Sequence, residues 1–90
     1  MHAMVDKITR QLASYLAKQK IVALEPIVKQ IEAHDAAYKL AFIKAHMCPR
    51  ARGLRAEVED LLRKNDVTVP TTTVDRIEQF LVALCELAEQ

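Results

Sequence analysis

Chain breakers are nearly absent from this sequence, and that scarcity is the strongest limit on what it can fold into. Gly53 is the single glycine, and Pro26, Pro49 and Pro70 are the three prolines in 90 residues. So little turn-forming material favours long helices joined by few connections. The apolar fraction of 51% is carried by Leu, Ile, Val and Ala, because aromatic residues amount to 4%. This length fits one domain. A chain so short buries only about 60% of the surface that its unfolded form exposes, so the core is thin and a partner chain would strengthen it.

Hydrophobic spacing divides the chain into four helices. Val5, Ile8, Leu12, Tyr15 and Leu16 fall on one side of a helix over about 5–20, opposite Lys7, Arg10, Ser14 and Lys18. Pro26 suits a first helical turn, where its missing N–H would be unpaired anyway. It opens a second helix over 26–47, with a main stripe of Ile27, Ile31, His34, Tyr38, Ala41, Phe42 and Ala45. Pro49 opens a third over 50–64, on the stripe Leu54, Val58, Leu61 and Leu62. Residues 65–71 form the loop, and Thr72 or Thr73 caps a fourth helix over 73–89 whose broad face holds Val74, Ile77, Phe80, Leu81, Leu84, Leu87 and Ala88. The expected fold is all-α, a small four-helix up-down bundle in a single domain spanning 1–90.

The second of these helices is apolar on two sides. Ala36, Leu40, Ile43 and Met47 form another stripe, roughly opposite the first at about 100° per residue. In a bundle of this size one face of each helix looks inward, so the second stripe meets either a second copy of the chain or a helix one that wraps over it. The first alternative makes the protein a homodimer.

Charge is sorted along the chain. Residues 1–56 carry ten Lys/Arg against four Asp/Glu, net +6, and residues 57–90 carry three against eight, net −5. No acid lies between Asp35 and Glu57, where Lys39, Lys44, Arg50, Arg52 and Arg55 all fall. This layout can pair with itself, pair with a second copy, or offer a basic face to a polyanion.

Motifs with chemical meaning are few. Cys48 precedes a helix start and has His46, Arg50, Arg52 and Arg55 nearby, a setting that lowers a thiol pKa. The Cys-x5-Arg loop of cysteine phosphatases does not result, because the sixth residue after Cys48 is Leu54 and Pro49 removes a backbone donor. His34, His46, Cys48 and Cys85 are zinc-type residues without zinc-type spacing. Both cysteines therefore read as structural, with a Cys48–Cys85 disulfide geometrically conceivable, and the absence of a close-spaced pair fits a reducing compartment. The carboxylates Glu57, Glu59 and Asp60 share a helical run with Arg63 and Lys64, the mixture of a solvated face, with Glu59 and Arg63 one turn apart. Residues 57–79 resemble a degenerate helix-turn-helix. Val67, Val69, Val74 and Ile77 fit its apolar spacing, and Thr71, Thr72, Thr73, Arg76 and Gln79 stand where a reading helix faces a groove. Lys64 replaces the small residue, Thr68 the turn glycine, and Asp75, Glu78 and Glu86 put the wrong charge on the reading helix.

These features describe a non-enzymatic helical protein–protein interaction module, a small regulator, adaptor or inhibitor that acts as a homodimer. Leu40, Phe42, Ile43 and Met47 are its expected contact residues, and Lys44, Arg50, Arg52 and Arg55 are expected to steer an acidic protein partner. The alternative is nucleic-acid binding through the basic segment 39–55 or the degenerate motif at 57–79. No catalytic residue, cofactor or metal is assigned. The chain is read as cytoplasmic, since no apolar run approaches the roughly 18 residues that would span a membrane.

Overall fold

Helices fill nearly all of the described chain: α1 His2–Lys18, a 3₁₀ turn Val22–Leu24, α2 Glu25–Glu32, α3 Ala36–His46, α4 Leu54–Lys64 and α5 Thr71–Glu89. The structure, a computed structural model, describes residues 2–34, 36–46, 48 and 54–89, with side chains at all of these except 2, 36, 37, 46 and 54. The fold is all-α. The segment expected as a single helix over 26–47 holds two, α2 and α3.

His34 explains the break. The backbone N–H of His34 bonds the carbonyl of Ile31 at 3.3 Å rather than that of Gln30. The Gln30 carbonyl is instead met by the His34 ring, with Nδ1 2.7 Å from its oxygen. A carbonyl only accepts, so the hydrogen sits on Nδ1. A side chain has taken the place of the backbone donor, and the ladder stops there. The same ring stacks on Phe42 in α3, centroids 4.2 Å apart and planes 27° from parallel. The break is therefore stapled on its far side.

Because α3 starts afresh, its rotation is freed from that of α2. In one continuous helix, Tyr38, Ala41 and Ala45 would share the inward side of Ile27 and Ile31. In the structure the sides are exchanged except at Phe42, which belongs to the same stripe and still faces the core. Ile43 is fully buried at 0% exposure, and Leu40 and Phe42 are half-buried against the core. Tyr38 is 64% exposed, and Ala41 and Ala45 are exposed with it. Leu40 and Ile43, the described side chains of the stripe expected to meet a second chain, are thus turned into the chain's own core, where α3 packs against α1, α2 and α5.

The remaining helices bury the faces that their spacing requires. Val5, Leu12 and Leu16 of α1, Val58 and Leu62 of α4, and Val74, Ile77, Leu81 and Leu84 of α5 join one core cluster with Val28 and Ile31. α5 is the central element, in contact with α1, α3 and α4. It begins at Thr71, earlier than a Thr72 or Thr73 cap allows. The Pro70 carbonyl takes the first backbone bonds, from Thr73 and Val74, and Thr73 is buried.

Two helix ends use the same device without glycine. At the end of α1, Ile21 N–H reaches back to the Leu16 carbonyl and Lys20 N–H to that of Ala17, while Lys20 takes φ 58°. At the end of α4, Val67 N–H bonds Leu62 and Asp66 N–H bonds Arg63, with Asp66 at φ 56°. Both are Schellman motifs, in which the residue after the left-handed one packs back onto the helix. Here those residues are Ile21, buried, and Val67, half-buried. The radius of gyration, 12.4 Å, is what about 90 close-packed residues require.

Candidate functional site

Three places in the fold gather the residues that the sequence singles out. The first is the surface of α3. Leu40, Phe42 and Ile43 face the chain's own core, so they are not available to a partner in this conformation, and Met47 lies outside the described residues. What α3 turns outward is Tyr38, Ala41 and Ala45, with Lys44 exposed beside them. Sequence spacing missed this face because it carried the phase of α2 across residue 34.

The second is the basic segment. Arg50 and Arg52 lie outside the described residues. Lys39 does not face solvent: its Nζ is 2.8 Å from the Asp6 carboxylate in α1, and its side chain is only 17% exposed. Arg55 is held in an acidic clasp. Its Nε is 3.1 Å from Glu59 one turn on, its terminal nitrogen bonds Asp75 of α5, and Glu78 stands 3.8 Å away. The hydrogen bond to Asp75, aided by the charges of Asp75, Glu78 and Glu59 against some desolvation, raises the guanidinium pKa above its ordinary value. Arg55 thus joins the acidic half of the chain to the basic half within one molecule. Arg63 pairs with Asp60 and not with Glu59, which Arg55 has already engaged.

This clasp also bears on the helix-turn-helix reading of 57–79. Val74 and Ile77 are buried and Val67 and Val69 half-buried, in keeping with the spacing. Thr73 is buried too, so it faces no groove. Arg76, the one cation of the reading helix, lies over the Phe80 ring at 5.1 Å. Asp75 and Glu78 are turned toward Arg55.

The third place is the cysteine pair. Cys48 and Cys85, 37 residues apart, are joined as a disulfide with Cα atoms 5.3 Å from each other, a separation usual for such bridges. It ties the α3–α4 connection to the last turns of α5. Cys85 is 4% exposed and Cys48 half-buried. Glu89, four residues after Cys85, brings a carboxylate oxygen to 3.7 Å from its Sγ. The ligand atoms of Cys48, Cys85 and Glu89 all lie within 4.8 Å of one another. His34, with its Nδ1 engaged by Gln30, is not a member of this group, and the side chain of His46 is not described. A search for His and Cys alone misses Glu89, although its place one helical turn after Cys85 is legible in the sequence.

No protein-family model, no curated protein and no solved structure matches this chain. No helix among the described residues is long and apolar enough to cross a membrane.

Proposed function

We propose that the chain is a non-enzymatic helical interaction module, a small regulator or adaptor that pairs with a second copy through the outward face of α3. The observation that carries this is the exposure of Tyr38, Ala41 and Ala45 at spacings of three and four on a helix whose opposite side is already buried. Tyr is a preferred interface residue because its ring is large and rigid and its hydroxyl tolerates water. Ala41 and Ala45 let a second helix approach closely, and a two-fold axis would set each Tyr38 against its partner's alanines. Lys44 at the rim, the exposed one among the described cations of segment 39–55, is placed to steer an acidic protein.

Nucleic-acid binding is the weaker reading, because Lys39 and Arg55 have carboxylate partners within the chain. Light scattering across a range of concentrations tests the proposal. The wild type is expected to run as a dimer at tens of micromolar, and Ala41→Glu as a monomer with unchanged helicity. A wild-type monomer at every concentration, together with a gel shift that Arg50→Ala and Arg52→Ala abolish, would replace this reading with the nucleic-acid one.

A further inference from the structure

The disulfide has a carboxylate beside it for which oxidised sulfur offers little. Glu89 and Cys85 share one face of α5 at a spacing of four, and Cys48 meets that face from the α3–α4 connection. A disulfide sulfur carries no proton to donate to Glu89. Two reduced sulfurs in the same place form, with Glu89, a convergent set of three metal-type ligands contributed by two parts of the chain. We propose that, when the disulfide is reduced, Cys48, Cys85 and Glu89 bind a thiophilic divalent cation such as Zn²⁺ or Cd²⁺, with water as the fourth ligand. This inference does not depend on the pairing of α3 faces.

The geometry suits such an ion. With metal–sulfur bonds of about 2.3 Å and metal–oxygen bonds of about 2.0–2.2 Å, a tetrahedral site holds its ligand atoms roughly 3.5–3.8 Å apart. Cα atoms 5.3 Å apart place both sulfurs in reach of one ion once they are no longer bonded to each other. Glu89 is exposed at the end of its helix, so a rotamer change closes the remaining gap. Each thiol loses its proton on binding, and two thiolates favour soft ions over Mg²⁺ or Ca²⁺. The bridge and the metal exclude each other, because the sulfur electrons that bind the ion belong to thiolates that exist only after reduction. A water-soluble phosphine supplies those two electrons, taking an oxygen from water to become the phosphine oxide and leaving two thiols.

The test uses the full chain, reduced with a phosphine under nitrogen and titrated with Cd²⁺ while thiolate-to-cadmium charge-transfer absorption is followed in the near ultraviolet. One equivalent is expected to saturate the band, and Mg²⁺ to give none. Cys48→Ala should abolish the saturable band. Glu89→Gln should keep the band but weaken cadmium binding by at least the roughly 10–100-fold that loss of a mere outer-shell partner costs. Glu89→Gln is a safe probe of the fold, since a negative charge near a helix C-terminus opposes the helix dipole and its removal does not weaken α5. A reduced protein without the band at one equivalent, or a Glu89→Gln variant that binds cadmium as tightly as the wild type, would overturn the three-ligand site.

Discussion

Residues 71–89 and residues 25–46 have comparable apolar content, yet the first is one helix and the second is two. In α5 the large apolar residues, Val74, Ile77, Leu81 and Leu84, lie on one side, with Asp75, Arg76, Glu78 and Glu86 elsewhere. A single rotation about the helix axis buries that set. In α3 apolar residues surround the axis, Leu40, Phe42 and Ile43 on one side and Tyr38, Ala41 and Ala45 on the other. Half a turn of rotation would exchange one apolar side for another, so amphipathicity does not choose between them. The choice falls to the helix start, and His34 sets that by taking the Gln30 carbonyl and stacking on Phe42.

The sharpest test of this contrast compares the two sides of α3. Ile43→Ala is expected to destabilise the monomer by about 2–5 kcal/mol through lost burial and a cavity. Tyr38→Ala, at a concentration too low for association, should stay within about 0.5 kcal/mol. Urea denaturation of both variants measures the difference. A larger loss for Tyr38→Ala than for Ile43→Ala would mean that α3 is rotated by half a turn from the arrangement described.

Next in size is the tie between the two regions. Closing a loop of 37 residues by the Cys48–Cys85 bridge removes unfolded-state entropy worth about 4 kcal/mol. That is a large share of the roughly 5–15 kcal/mol that holds a domain together. Phosphine reduction without metal should therefore lower the thermal midpoint markedly, and hydrogen exchange should rise first in α3 and the last turns of α5. An unchanged midpoint would show that the bridge contributes little to the fold.

A smaller effect is expected at the break itself. His34→Ala removes one side-chain hydrogen bond and one ring stack, together about 1–2 kcal/mol. With the Gln30 carbonyl returned to the backbone, amide exchange at residue 34 should slow. Faster exchange there would mean that the ring was supporting α2 and not ending it. The smallest effect concerns the glycine-free helix ends. Lys20→Gly relieves a left-handed residue of its Cβ and should stabilise by about 0.5–1 kcal/mol, less what a more flexible unfolded chain takes back. A loss of stability on denaturant titration would show that the Lys20 side chain contributes more than its backbone angle costs.

How much of this was legible depends on the element. α1, α4 and α5 could be placed from periodicity because each has a polar side that rules out every other rotation, and the loop 65–70 lies where the pattern lapses. The helix ends at Lys20 and Asp66 were harder to see, since their left-handed angles fall on residues that do not advertise them. The charge sorting was plain in the sequence, but its meaning was not. Self-pairing, dimer pairing and a free basic face give the same counts, and the contact of Arg55 with Asp75 and Glu78 across α4 and α5 decides for self-pairing at that residue.

The all-helical character was determined by the sequence alone, because 90 residues with a single glycine, few aromatic residues and repeated apolar steps of three and four have scarcely any other regular structure open to them. The tertiary structure decided which face of α3 is inside, which carboxylates hold Arg55 and Lys39, and that Cys48, Cys85 and Glu89 share one place. Each of these joins residues far apart in the chain or turns on a rotation that local pattern leaves degenerate. Packing, which compares whole arrangements at once, is what breaks such ties.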